Sequence, residues 1–302
     1  MLRDARDYQI LFLSMFLVLG VATRDWSLKP AMVGVAIATT LLTQTLFSLG
    51  WGWFAQGDSP ANRSLPRGLT PVAPLTLAER WRAAIAALQL NWRSPLITAL
   101  GLSLLLRVDH GWTMALAAFA AIASKFCFRV AGKHFWNPGN FGIIVALTLT
   151  HDAWVSPGQW GTEIWFGLIF LGAGGIVLKR VGRWDTTVAF LGSYALLEAL
   201  RNLYLGWTWD VWLHRLSSGS LLLFALFMVT DPRAIPNARS ARLVWAVSIA
   251  ALTFILRNYY YVSTAVFWAL FLLSPLTIVL DALYQADRFT WKSLVPRVSP
   301  VS

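Results

Sequence analysis

The chain has 302 residues, of which 57% are hydrophobic and only 13% charged, and its 25 Lys+Arg against 14 Asp+Glu give a net charge of +11. A soluble domain carries about a quarter charged residues, so this composition excludes an ordinary soluble fold and predicts an all-α, multi-pass membrane protein with the whole chain, 1–302, as one membrane domain. A single cysteine, Cys127, and four histidines (His110, His134, His151 and His214) cannot supply the four thiolates of an iron–sulfur cluster or a zinc site.

Apolar stretches divided by charged or Gly/Pro/Asn-containing breaks predict ten spans, at 8–23, 31–53, 94–107, 112–131, 138–150, 162–178, 186–202, 217–230, 241–256 and 260–283. About 20 residues of helix cross the hydrocarbon, so several of these are too short to span upright. Arg3 and Arg6 ahead of an apolar run ending in Gly20-Val-Ala22 have the grammar of a signal peptide; the run is expected to remain as the first span. Between the second and third spans lies the one long connection, 57–93, where Pro60, Pro66, Pro71 and Pro74 precede an amphipathic Leu75 to Leu90 segment expected to lie along the cytoplasmic surface. With an inside N terminus and ten crossings, 19 of the 25 Lys and Arg fall in inside loops. Basic residues accumulate on the cytoplasmic side, so both termini, including a tail at 284–302, are expected there. The same bias accounts for the net charge through anionic lipid, and no nucleic-acid partner is implied. Tryptophans near span ends (Trp26, Trp51, Trp53, Trp112, Trp154, Trp160, Trp184, Trp207 and Trp209) suit the interfacial belt.

No GxxxxGK[ST] loop occurs, and Gly172-Ala-Gly-Gly175 lies within an apolar run, as a close-packing helix face rather than a phosphate cradle. The histidines sit beside polar residues near span ends, which disfavours intrinsic haem. Glu198 and Arg201 stand three apart on one helix face, where they are expected to pair, and Lys125 and Arg129 near an inner end are expected to snorkel.

A weak internal repeat is present. Ser94-Pro-Leu-Ile-Thr-Ala-Leu-Gly-Leu-Ser103 and Ser218-Gly-Ser-Leu-Leu-Leu-Phe-Ala-Leu-Phe227 each open on Ser and a helix breaker and continue as a short apolar helix. Each is the third span of a five-span half, about 8–150 and 162–283, and an odd number of spans per half inverts the second relative to the first. Helices this short need non-helical backbone at membrane depth, which is tolerated only where protein or a cavity satisfies it. The pair therefore marks a central site, with Ser94, Thr98, Ser218 and Gly219 as candidate residues. Two further motifs join it. Lys133-His134-Phe-Trp-Asn137-Pro138 leads into a helix with Asn137 as N-cap and Pro138 at the first position. Thr230-Asp231-Pro places a carboxylate at a helix C terminus, against the macrodipole, so Asp231 requires a cation or a capping role; Lys133 and Arg129 are the expected partners.

Residues 91–150 and 216–288, through Phe-Trp-Asn-Pro-Gly-Asn-Phe-Gly and Phe-Met-Val-Thr-Asp-Pro in this order and spacing, resemble the RnfD/NqrB (NQR2/RnfD/RnfE) family of membrane subunits of Rnf and sodium-translocating NADH:quinone reductase complexes. The resemblance implies ten helices in two inverted five-helix repeats, a fold like that of urea and ammonium channels, and a location in the bacterial cytoplasmic membrane. It also implies a role in flavin-dependent electron transport beside other membrane or redox subunits and membrane lipid. An oxidoreductase subunit of that kind would carry no NAD, haem or metal site of its own. Family members esterify flavin mononucleotide to a threonine in an S-x-A-T motif of the loop after the fifth helix. Here that loop, 151–161, lacks the motif, and Thr162 has the wrong context, so a non-covalent flavin (FMN or riboflavin) is expected and covalent FMN is not. Ser94, Thr98, Lys133, His134, Asn137, Pro138, Ser218, Gly219, Thr230 and Asp231 are the residues expected to bind it. Short relatives of this kind resemble accessory membrane proteins, including those encoded with enediyne natural-product pathways. A small-solute channel and a structural subunit of a larger membrane assembly remain the alternatives on the same fold.

Overall fold

The computed structural model describes residues 4–24, 29–57, 82, 92–155, 160 and 164–290. The prolines of the long connection, its Leu75 to Leu90 segment apart from Arg82, Trp26, Thr162 and the tail from residue 291 lie outside the described residues. Twelve α-helices run in chain order through those residues. The first half contains α1 (Ala5–Arg24), α2 (Pro30–Gly57), α3 (Arg93–Leu105), α4 (Gly111–Cys127) and α5 (Pro138–Leu149). The second contains α6 (Ile164–Val181), α7 (Trp184–Leu205), α8 (Trp209–Leu216), α9 (Gly219–Leu223, continued by a π-helical turn at Phe224–Met228), α10 (Arg239–Asn258), α11 (Ala265–Leu273) and α12 (Leu276–Leu283).

Each of the ten apolar segments carries a helix or a bent helix pair. Three described helices are long and apolar enough to cross a membrane alone, and up to five segments qualify if the bent pairs α8/α9 (49°) and α11/α12 (47°) each count as one. The second bend falls at Ser274-Pro275, where proline cannot continue the backbone ladder and the Ser274 hydroxyl donates to the Leu270 carbonyl at 2.6 Å. Leu11, Leu42, Leu46, Leu168 and Leu196 are more than half exposed. Aliphatic faces of that extent match lipid tails, and the chain is a multi-pass helical membrane protein.

Three features depart from the sequence expectation. Residues 209–216, between the predicted spans 186–202 and 217–230, form the amphipathic helix α8. Trp160, expected in the interfacial belt, is fully buried, edge-on to Phe170 with ring centroids 4.7 Å apart. Within the Gly172 to Gly175 run only Gly174 is a close-packing residue: a Cβ there would lie 2.8 Å from the Leu226 side chain, whereas Gly172 and Gly175 face open space.

Two short antiparallel ladders close the bundle ends. β1 (Leu106–Val108) pairs with β4 (Ala153–Val155), with Arg107 opposite Trp154. β2 (Arg129–Val130) pairs with β3 (Lys133–His134) through a two-residue turn in which Ala131 and Gly132 both have positive φ, 50° and 81°. Left-handed central residues are what a tight hairpin demands, and glycine adopts that conformation without steric cost. The turn aims His134 back toward the bundle.

Helices α4 and α5 approach closely at Gly142. A methyl on Gly142 would strike the Ala117 carbonyl and lie 2.9 Å from Ala121 Cβ. Gly142→Ala is therefore expected to destabilise the protein by at least about 1–3 kcal/mol. Gly192→Ala, in open space on α7, should gain up to about 1 kcal/mol of helix propensity. Thermal unfolding in detergent that ranked the two variants in the opposite order would refute this packing.

Candidate functional site

At the Lys- and Arg-rich end of the bundle the N termini of α1, α3 and α5 meet the C termini of α4 and α6 and the end of the π-turn, around a cavity of about 110 Å³. Seven of the ten sequence-derived residues line it: Ser94, Thr98, His134, Asn137, Pro138, Thr230 and Asp231. Leu13, Ile97, Leu104, Leu178, Leu226 and Phe227 supply apolar wall.

Local chemistry explains why these segments stop here. Asn137 caps α5, its Oδ1 accepting from the Asn140 amide at 3.0 Å with Pro138 following. Its Nδ2 donates to the Met228 carbonyl at 3.1 Å, so one side chain ties the start of α5 to the end of the π-turn. Asn140 Nδ2 reaches the Phe267 carbonyl of α11 at 3.0 Å. On the far wall the Thr230 hydroxyl donates to the Leu226 carbonyl at 2.8 Å and that of Thr98 to the Ser94 carbonyl at 3.1 Å. The two motifs are thus joined by a direct hydrogen bond between residues 91 positions apart.

The other three candidates lie elsewhere. Ser218 and Gly219 begin α9 away from this cavity, where a Cβ on Gly219 would lie 2.5 Å from Trp160 Cβ; that glycine serves helix packing. Lys133 points away to Asp281, Nζ to Oδ2 2.6 Å, and to the Ile235 carbonyl at 2.6 Å. The expected Asp231–Lys133 and Asp231–Arg129 pairs do not form. Asp231 Oδ1 instead accepts the Arg233 backbone amide at 3.1 Å, an Asx-type turn, and Arg129 Nε donates to the Lys125 carbonyl while its guanidinium packs over Phe126. A carboxylate near a chain reversal is drawn to the amide two residues on before it is drawn to a distant cation.

Lys125 departs furthest from the sequence expectation. Rather than snorkelling it turns inward, 7% exposed, lines the cavity and donates from Nζ to Ser94 Oγ at 3.0 Å. Its position one helical turn before Arg129, near the end of an otherwise apolar helix, is the only signal the sequence carries. Arg6 and Arg233 complete the cationic part of the lining, Arg6 being paired with Asp4 at 2.6 Å.

Burial is the largest influence on the His134 imidazole and, helped by the neighbouring Lys125, Arg233 and Arg129 charges against the opposing pull of Asp231, lowers its pKa to about 4. The ring is therefore neutral at neutral pH. Because the folded value lies below the ordinary 6.5, the unfolded chain binds the extra proton first. The stabilising contribution is intact above about pH 6.5 and is lost as pH falls toward 4, up to about 3 kcal/mol in total. His134→Gln should flatten that part of the stability-versus-pH curve; an unchanged slope between pH 6.5 and 4 would assign it to another group.

Among the described residues no group of three or more His, Cys, Asp or Glu side chains is placed to hold a metal ion. The donor set does suit the polar edge of a flavin ring: the Lys125 ammonium and the His134 imidazole face an apolar slot with one carboxylate, Asp231. Gly101 on the wall has open space where a Cβ would stand. The volume is below the roughly 300 Å³ of a typical cofactor pocket, so no more than one polar end of such a group could enter it.

Residues 149–290 match the NQR2, RnfD, RnfE family; the matched region contains Thr230-Asp231-Pro232 and begins after Asn137-Pro138. The RnfD subunit of the ion-translocating oxidoreductase complex of Stutzerimonas stutzeri is 35% identical over 114 residues, 38% of this chain and 32% of that protein. The protein of the same name from Vibrio atlanticus is 35% identical over 117 residues, 38% and 32% of the two chains. That from Tolumonas auensis is 36% identical over 97 residues, 32% and 28%. The chain thus spans about a third of the length of the curated relatives it matches.

Proposed function

We propose that this chain, whose residues 149–290 carry the pattern of the NQR2, RnfD, RnfE family, is the membrane subunit of a flavin-dependent electron-transport system. The observation that carries the reading is the single cavity formed by the Asn137-Pro138 and Thr230-Asp231 motifs. A bound flavin would supply one- and two-electron chemistry. The chain's own residues do the rest: apolar side chains exclude water, Lys125 and the neutral His134 present polar hydrogens to the inner end, and Asp231 offers an acceptor. Partners are other membrane or redox subunits that deliver and remove electrons.

Ten crossings in two inverted repeats, with both termini in the cytoplasm of a bacterial inner membrane, are part of this reading. In support, the helix pairings repeat between halves. In the first, α1 packs on α3, α2 on α4 and α4 on α5; in the second, α6 packs on α9, α7 on α10 and α10 on α11. Equivalent helices also meet across the halves, α1 with α6 and α5 with α11.

Detergent-purified protein should be yellow, with a visible flavin band bleached by a chemical reductant, and all of the colour should leave the polypeptide on denaturation. A colourless preparation that conducts a small solute in liposomes would replace this reading with a channel on the same fold.

A further inference from the structure

The corner where α7 turns into α8, at the far end of the bundle from the basic cavity, holds charge and aromatic surface that the fold leaves unused. α7 ends on Gly206, whose φ of 67° is left-handed, and the buried Asn202 donates from Nδ2 to the carbonyls of Trp207 and Thr208 at 3.0 and 3.2 Å. Trp207 is thereby fixed beside two guanidiniums, Arg201 at 4.7 Å and Arg215 at 5.4 Å from its ring centroid. Arg215 lines an open hollow of about 460 Å³ together with Gly206, Trp207, Thr208 and Val211. Arg201 makes no hydrogen bond or ion pair among the described residues; stacking holds the face of its guanidinium and leaves the in-plane N–H fork available. The carboxylates joined to this corner are both committed. Glu198 accepts from Arg215, Tyr194 and Asn258, and Asp210 accepts from the Thr208 hydroxyl and the Val211 amide at the start of α8. With Arg257, which donates to the Tyr194 hydroxyl at 3.1 Å, three guanidiniums meet two carboxylates, and the one positive charge in excess is what a phosphate diester neutralises. Leu196, Leu200 and Leu203 form an exposed strip along α7 that runs out into exposed Tyr204, Trp207 and Trp209. Aliphatic surface, then aromatic rings, then cations is the order of environments that a phospholipid presents from chain to headgroup.

We propose that this corner seats one membrane phospholipid, with its phosphate diester on Arg201, its headgroup in the hollow beside Arg215 and its acyl chains along Leu196, Leu200 and Leu203. The inference is independent of the flavin reading. The planar fork of Arg201 suits two phosphate oxygens at once. The bound lipid would also brace α8, which buries no side chain of its own.

The test follows amide hydrogen exchange across 206–218 in the full chain, delipidated in detergent and then supplied with dioleoyl phosphatidylglycerol or with dioleoylglycerol, which has the same chains and no phosphate. At saturating lipid the phospholipid should slow exchange in this segment at least about tenfold more than dioleoylglycerol does, the value of one charge-assisted contact. Arg201→Gln and Trp207→Leu should each bring the difference below about twofold, and Arg201→Lys should keep part of it. In both of the first two variants any protection of residues 129–135, at the basic end, should stay as in wild type, which separates loss of this seat from a general loss of lipid affinity. Equal protection by the two lipids would overturn the proposal, because the contact would then be apolar alone. Glycerol phosphate protecting as well as the phospholipid would overturn it too, by assigning the corner to a soluble anion. Should Arg201→Gln fail to fold, Trp207→Leu decides, and wild-type protection in that variant removes the seat.

Discussion

Replacing Arg242 with methionine should destabilise the protein by about 3–5 kcal/mol, the usual cost of stranding one member of a buried ion pair. Arg242 Nη2 lies 2.6 Å from Asp185 Oδ2, and the two side chains are 5% and 6% exposed. Arg239, at 3.7 Å and largely exposed, offers the carboxylate only a partial substitute. The same Arg242 donates from Nη1 to the Asn237 carbonyl at 2.6 Å. The Asn237 amide in turn donates to Asp281 Oδ1 at 2.8 Å, whose other oxygen holds Lys133. One chain of contacts therefore runs from α7 through α10 and the loop after the π-turn to α12 and the β3 strand that carries His134. Loss of Arg242 should loosen the cavity wall as well as the helix pair, so ligand retention should fall with stability. The double variant Asp185→Leu, Arg242→Met should be less destabilised than the sum of the single variants. An Arg242→Met midpoint within about 1 kcal/mol of wild type would mean that water reaches the pair.

Glu198→Gln is the second substitution with a large expected effect, again about 3–5 kcal/mol, at the opposite end of the bundle. Glu198 is 2% exposed. Its Oε2 accepts from Arg215 of α8 at 3.0 Å, and its Oε1 accepts from the Tyr194 hydroxyl and from Asn258 Nδ2, both at 2.8 Å. Arg215 also donates to Asn258 Oδ1 at 2.8 Å, and Arg257 donates to the Tyr194 hydroxyl at 3.1 Å. The amphipathic helix α8, which buries no side chain of its own, is fastened to α7 and α10 by this network together with Trp212, whose Nε1 donates to the Ala195 carbonyl of α7 at 2.9 Å. Glutamine keeps the shape but removes the charge, and whichever way its amide turns its hydrogens face donors, those of Arg215 or those of both Tyr194 and Asn258. Proteolysis within 206–218 should therefore accelerate in Glu198→Gln beyond the rate explained by global unfolding. A variant as protease-resistant as wild type would show that contacts other than Glu198, the Trp212 bond to Ala195 among them, hold α8.

The same cluster shows where sequence reasoning reaches its limit. Glu198 and Arg201 are neighbours on a helix face, and that spacing alone suggests a pair; in the fold Arg201 stacks on Trp207, 4.7 Å from its ring centroid, and Glu198 takes Arg215, 17 residues away. Lys133 likewise passes over Asp231 for Asp281, 148 residues distant. Glu198 is buried where a cation from another element reaches it, and Asp231 is already held by the Arg233 amide.

What the sequence determined by itself was whatever is decided residue by residue along the chain. Apolar length and basic-residue bias identify a multi-pass helical membrane protein, because transfer of each side chain to hydrocarbon adds up locally. Asn137-Pro138 announces the start of α5, because a cap and a fixed φ act within one helical turn. Only the tertiary structure decided which of ten nominated residues share a cavity, that Ser218 and Gly219 stand apart from it, that Lys125 turns inward while Lys133 turns away, and that Ala131-Gly132 folds β2 onto β3. Those outcomes depend on cross-helix register and on which face of each helix its neighbours cover, quantities that no single stretch of sequence contains.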